Sequence, residues 1–233
     1  MTSGRAEGHS QSDRAFFGRR KGKTLRRHQS ELMSDTLPAI RLDLSKPCPA
    51  PRQLFGSAGD VHLEVGFGGG EHLALRASES PDIGFIGCEV FVNGVAKMLA
   101  QVERFGLGNV RVCDDDAKHL LAWLPDASIG RAYILYPDPW PKRRHRKRRF
   151  LGDAMLAEFA RILRPGAELR FATDIDDYAG YVLARVARTK GLRWTAETAE
   201  DWRRPWAGWR STRYEAKALR EGRSPGYFTF VRE

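Results

Sequence analysis

Cysteine is scarce in this chain: Cys48, Cys88 and Cys113 stand far apart, with no CxxC pair among them. That excludes a disulfide scaffold and a four-cysteine zinc site, and it points to a reducing cytoplasm. Long apolar runs are lacking too, none approaching the roughly 18 residues that would suggest a membrane span. The first residues carry no apolar h-region, so a secretory signal is not expected. Their Arg/Ser content has a faint likeness to an organellar transit peptide, against which Glu7 and Asp13 stand. No internal repeat is present, and no His/Cys spacing suggests a metal site.

Positive charge is present in excess and unevenly placed. The net charge is +10 over 233 residues. Residues 1–35 carry +4, and the octet Lys142-Arg143-Arg144-His145-Arg146-Lys147-Arg148-Arg149 carries +7 with no acid in it. The rest of the chain is left at −1. A near-neutral body with its positive charge gathered into two segments points to a polyanionic partner. With 42% hydrophobic residues the chain has ample material for a buried core. Residues 1–35, polar and Gly/Ser-rich, read as a flexible basic arm, and a linker containing Pro47, Pro49 and Pro51 precedes the globular region.

From about residue 60 strands and helices alternate. Val61–Val65, Ile83–Cys88, Asn109–Cys113, Arg131–Tyr136 and Glu168–Ala172 read as buried strands. Helices are expected from near Glu71, over 92–105 with Gly106 as the stop, and over the Leu151, Met155, Phe159, Ile162 stripe ended by Pro165-Gly166. Asp176 or Asp177 is a candidate cap for the next helix. This alternation implies an α/β fold with a mainly parallel sheet covered on both faces. The closing run Tyr227-Phe228-Thr229-Phe230-Val231 alternates like an antiparallel edge strand.

In open α/β sheets ligands bind at the carboxyl ends of the strands. There the chain delivers Glu64 and the loop Gly66-Phe67-Gly68-Gly69-Gly70, then Glu89, then Asp114-Asp115-Asp116, then Asp138, then Thr173-Asp174. One carboxylate at a strand end serves equally well as a helix cap, but acid at five consecutive strands points to a ligand. The glycine loop departs from the GxGxxG dinucleotide fingerprint, since Glu71 stands where the third glycine belongs. An acid at this loop would repel a pyrophosphate and attract the ammonium and sulfonium of S-adenosylmethionine. Glu89 is spaced to accept from both ribose hydroxyls, and Asp116 from an adenine amino group.

The segments Leu63-Glu64-Val65-Gly66-Phe67-Gly68-Gly69-Gly70, Gly87-Cys88-Glu89-Val90, Tyr136-Pro137-Asp138-Pro139-Trp140-Pro141-Lys142 with His145–Arg149, and Thr212-Arg213-Tyr214-Glu215 together resemble the bacterial tRNA (guanine-N7-)-methyltransferases over roughly residues 16–232. The resemblance implies a class I Rossmann-like methyltransferase with a mostly parallel seven-stranded sheet and an antiparallel C-terminal strand. The arm would then precede a catalytic domain over 36–233, with an RNA-binding segment at 142–149 and a substrate-binding segment at 200–220. The methyl donor would be S-adenosylmethionine, and the acceptor N7 of guanine-46 in the tRNA variable loop. Cofactor contacts would fall on Glu64, Gly66, Gly68, Glu89, Asp116 and Asp138, with Asp138 also catalytic and no metal required. Guanine or RNA contacts would fall on Lys142, Asp174, Thr212, Arg213, Tyr214 and Glu215, and RNA docking on Arg144, His145, Arg146, Lys147, Arg148 and Arg149. The extra acids before Asp116 leave open which of the three aspartates meets adenine. Trp140 is the candidate for base stacking, while Trp202, Trp206, Trp209 and Tyr214 are expected to pack a C-terminal subdomain. A cytoplasmic monomer or homodimer with no obligate protein partner is expected. The competing readings are a methyltransferase for another RNA or a protein, and a non-catalytic RNA-binding protein on the same scaffold.

Overall fold

The computed structural model describes residues 17–56 and 59–233. Strands β1 (Asp60–Val65), β2 (Ile83–Cys88), β3 (Val110–Cys113), β4 (Ile129–Leu135), β5 (Leu163–Thr173), β6 (Leu192–Trp194) and β7 (Gly226–Arg232) form one sheet in the order β3-β2-β1-β4-β5-β7-β6. The first five run parallel, and β7 is antiparallel to both of its neighbours. The order reverses between β1 and β4, so the crevice for a ligand opens beyond the carboxyl ends of those two strands.

Two apolar layers cover the sheet. On one face α3 (Glu71–Glu79) and α4 (Val92–Phe105) pack Leu73, Val95 and Leu99 against Phe85, Val110 and Val112. On the other, α5 (Ala117–Trp123), α6 (Asp153–Ile162) and α7 (Asp176–Val186) pack Leu120, Leu156, Phe159 and Val182 onto Leu63, Ile134 and Phe171. α4 stops at Gly106, whose φ of +60° is the left-handed conformation that glycine supplies without steric cost. No described helix is long and apolar enough to cross a membrane.

Four expectations are corrected. Residues 27–35 of the expected flexible arm form α1 (Arg27–Asp35), which buries Leu32 among the α3/α4 layer together with Leu37 of α2 (Leu37–Ile40); residues 1–16 lie outside the described residues. β7 is interior, because the three-residue β6 pairs along its outer side. Pro165-Gly166 lies inside β5 and not at the helix end: α6 closes at Ile162, and Leu163 already pairs with Ile129. Asp176 and Asp177 occupy the first turn of α7 and do not cap it, the cap position being Ile175.

Candidate functional site

β1 runs out into Gly66–Gly70, where Gly66, Gly68 and Gly70 have φ of +76°, +58° and +78°. The loop is pressed on the start of α4 so closely that a Cβ on Gly94 would lie 2.3 Å from the Gly68 carbonyl oxygen. Glu89, at the end of β2, completes the joint. Its two oxygens accept from Gly68 N at 2.8 Å and from Phe91 N at 2.9 Å. Burial raises the Glu89 carboxyl above its ordinary range, against the pull of those amides, and nearby Asp138 raises it further.

Around this joint is a cavity of about 250 Å³. Its walls include Gly66 and Gly68 from the first loop, Cys88, Glu89 and Val90 from the second, Asp115 and Asp116 from the third, and Tyr136, Pro137, Asp138 and Trp140 from the fourth. Among the three aspartates the division of labour is clear. Asp114 turns away to pair with Arg41 at 2.7 Å, and Asp115 bonds His119 at 3.0 Å. Asp116 is buried and caps α5 by accepting from Lys118 N at 3.0 Å. Asp138 is open to the cavity itself, yet its surroundings desolvate it enough to raise its pKa. Two carboxyls held above their usual range, facing one small space, make that space electrostatically suited to a cation.

The loop that carries Asp138 is strained at both ends. Tyr136 and Trp140 have φ of +51° and +42°, a region that costs a non-glycine residue about 1 kcal/mol or more. Residues 143–148 then form a short 3₁₀ turn beside the cavity. Lys142, Arg143, Arg144 and Lys147 are exposed, and His145 is half-buried with its ring edge-on to Trp140. The Arg148 guanidinium sits 5.0 Å from the Trp140 ring centre and 5.7 Å from that of Phe17. Arg146 pairs with Asp177 at 2.6 Å. Arg149, expected among the RNA contacts, has a side chain with no exposed surface and is committed within the protein.

The segment over 200–212 packs on both faces of the sheet: Trp202, in α8 (Glu200–Arg203), joins the α5/α6/α7 layer, and Trp206 and Trp209 join Tyr133, Leu135, Ala172 and Tyr227 on the other face. Trp206 and Trp209 pack on Tyr227, and Trp202 stacks on Phe228 at 5.7 Å, so these tryptophans pack the protein as expected. α9 (Arg213–Arg220) begins with a capping box in which Thr212 accepts from Glu215 N at 3.2 Å and Glu215 accepts from Thr212 N at 3.3 Å. Glu215 is buried and also accepts from Trp209 Nε1 at 2.7 Å and from the Tyr227 hydroxyl. Thr212 and Glu215 thus hold the segment together, while exposed Arg213 and Tyr214 reach the Gly68 loop; Tyr214, expected to pack with the tryptophans, instead closes one side of the cavity.

Of the residues expected on a cofactor, Gly66, Gly68, Glu89, Asp116 and Asp138 share this cavity. Glu64 does not line it. It is buried below the loop, bonded to His72 Nδ1 at 2.7 Å, and so ties β1 to α3. Asp174 lies apart as well, paired with Arg223 at 2.6 Å. Sequence reasoning missed Phe17, Gly18 and Arg19, which wall the cavity from the N-terminal side. They are placed there by Val92 N donating to Arg20 O at 2.9 Å and by Asn93, which bonds Gly22 N at 2.8 Å and Lys23 O at 2.7 Å. The one available signal was the Phe16-Phe17 pair in an otherwise polar stretch.

Residues 58–225 match a family model described as "Putative methyltransferase". A tRNA (guanine-N(7)-)-methyltransferase of Bradyrhizobium diazoefficiens is 52% identical over 223 residues, covering 95% of this chain and 94% of the relative. The protein of the same name from Mesorhizobium japonicum is 53% identical over 226 residues, covering 96% and 97%. Among solved structures, a 16S rRNA (adenine(1408)-N(1))-methyltransferase from Catenulisporales acidiphilia superposes with a TM-score of 0.53 at 14% identity, over 82% of this chain and 92% of that one. The 16S rRNA methyltransferase KamB gives 0.52 at 17%, over 78% and 92%. At such identities these structures share the Rossmann-like fold and nothing finer.

Proposed function

The chain belongs to the tRNA (guanine-N(7)-)-methyltransferase family, and from that membership we propose that it transfers the methyl group of S-adenosylmethionine to N7 of a variable-loop guanosine, guanine-46, in tRNA. The observation that carries the cofactor half of this reading is the convergence of Glu89, Asp115, Asp116 and Asp138 on one small cavity beside the glycine loop. The cavity brings backbone amides together with the carboxylates of Glu89, Asp115, Asp116 and Asp138, with Arg19 and Arg148 in its walls, and we read four acids against two bases as fitting a cationic nucleoside better than a pyrophosphate. Glu89 is suited to the ribose hydroxyls, and Asp116, with Asp115 beside it, to the adenine end. When bound, S-adenosylmethionine supplies an electrophilic methyl group.

The chain's own residues have a limited chemical task. Guanine N7 presents an in-plane lone pair and carries no proton, so no general base is needed, and alignment of the base dominates. Methylation leaves positive charge on the ring. The Asp138 carboxylate, open to the cavity, is suited to stabilise that charge or to hold the N1 and N2 donors of the base. Trp140 and Tyr214 offer aromatic surface at the rim, and Lys142, Arg143, Arg144 and Lys147 an exposed cationic strip for the phosphates beside it. A guanosine engaged in tertiary pairing must be exposed before it reaches this cavity, as in base flipping. The exposed strip and the C-terminal segment serve one catalytic body, which acts in the cytoplasm.

The test is incubation of the protein with methyl-labelled S-adenosylmethionine and unmodified tRNA, followed by nucleoside analysis. Label recovered in N7-methylguanosine supports the reading. Label found only in rRNA or in a polypeptide would contradict it.

A further inference from the structure

The last residue of the basic octet does a different job from the others. The Arg149 guanidinium is flanked by the rings of Tyr178 and Tyr181, at 5.0 and 4.9 Å. Its Nε donates to Pro139 O at 2.8 Å, its Nη1 to Asp177 O at 3.1 Å, and its Nη2 to the Asp177 carboxylate. Pro139 is the immediate neighbour of Asp138. The Asp138 loop is poorly able to hold itself: Pro137, Pro139 and Pro141 have no N–H to give. On its N-terminal side the loop is fastened by Tyr136 N donating to Ala172 O at 2.8 Å. On the other side the Arg149 bond to Pro139 is the corresponding fastening, and the two strained residues, Tyr136 and Trp140, fall at or beyond these points.

We infer that Arg149 is a positioning residue, a strut that fixes Asp138 in the cavity by fastening Pro139 to the first turn of α7, and that it takes no part in RNA docking. Asp177 is the foot of that strut. Its second oxygen takes Arg146, so the cationic strip and the Asp138 loop share one anchor. Three donors in a fixed planar fork suit this task, and lysine, with one point charge, cannot replace them.

This inference rests on the methyl-transfer reading for its kinetic arm only. In Arg149→Met, tRNA affinity stays within about three-fold, the slope of log affinity against log salt is unchanged, and the affinity for S-adenosylhomocysteine is unchanged, while kcat falls at least 30-fold with KM little altered. Arg149→Lys does not restore kcat. Should Arg149→Met fail to fold, Asp177→Asn, whose side chain is nearly half exposed, carries the same expectation for turnover and exchange, with a loss in kcat of about five-fold or more. Hydrogen exchange of the peptide spanning 136–142 needs no substrate, and it is faster in either variant by at least ten-fold. A failure of wild-type protein to methylate tRNA would count against the function alone, because the exchange experiment still decides the strut. Unchanged exchange with full kcat would overturn it. So would a salt slope reduced by about 0.7–0.9, the signature of one lost phosphate contact.

Discussion

Gly94 lies directly against Gly68: a side-chain carbon on the first would stand 2.3 Å from the carbonyl oxygen of the second. Since the neighbouring amide of Gly68 is held by Glu89 at 2.8 Å, the loop cannot retreat without breaking that bond. Gly94→Ala is therefore expected to weaken S-adenosylhomocysteine binding at least ten-fold by calorimetry. Gly180, exposed in α7 with open space around it, provides the control. Gly180→Ala should leave affinity unchanged and stabilise the protein by about 0.5–1 kcal/mol.

Asp138 yields a prediction with a definite sign. A carboxyl whose pKa rises on folding holds its proton more tightly in the native state. Its ionisation at higher pH then works against folding, and the effect vanishes below the usual carboxylate range, where both states are protonated. Asp138→Asn should therefore raise the melting temperature of ligand-free protein at pH 7.5, on the order of 1–2 °C, with the gain shrinking toward pH 4.5. The same substitution should cost most of the methyl transfer while leaving tRNA affinity within a few-fold. Cofactor affinity of the wild type should fall as pH is lowered through the raised range of Glu89 and Asp138, because protonation removes the charge that a cationic ligand meets.

The exposed cations of the octet can be separated from the committed ones. Among the described residues no acid pairs with Arg143, Arg144 or Lys147, whereas Arg146 and Arg149 share Asp177. Replacing Arg143, Arg144 and Lys147 together with alanine should reduce the salt slope of tRNA binding by roughly 2. Thermal stability and S-adenosylhomocysteine affinity should not change. An unaltered slope would remove the strip from the docking surface.

Within Thr212-Arg213-Tyr214-Glu215 the effects should split by position. Glu215→Ala strands the Trp209 indole N–H and the Tyr227 hydroxyl in the interior, at a cost of about 3 kcal/mol in denaturant unfolding. Tyr214→Ala removes a cavity wall from an exposed side chain, so it should raise the cofactor Kd several-fold with stability unchanged.

The legible parts of this protein were those written in short range. Ile83–Cys88 and Val92–Phe105 could be bounded to the residue, because a β-rich run and a Gly106 stop are local signals. The carboxylates were legible as a set, since strand ends gather at one edge of a parallel sheet whatever their exact order. Orientation and pairing were not legible. Glu64 faces α3, where His72 receives it, and nothing within the β1 segment tells of His72. Arg149 looks like its seven neighbours in sequence, and only the distant Asp177, Tyr178 and Tyr181 set it apart. α1 was missed because one buried Leu32 amid polar residues gives no periodic stripe, and β6 because three residues are too few to show alternation. The wall formed by Phe17, Gly18 and Arg19 depends on Asn93, some 70 residues along the chain.

The central claim, that the cavity and its cationic rim work together on one ring nitrogen of a tRNA, can be put to a single-atom substitution. Two tRNA transcripts are prepared that differ only at the variable-loop guanosine, one natural and one carrying 7-deazaguanosine, and each is incubated with the protein and methyl-labelled S-adenosylmethionine. The expected result is equal binding of both, with label entering only the natural transcript, at that nucleotide. Equal labelling of the two transcripts, or label on neither, would contradict the account.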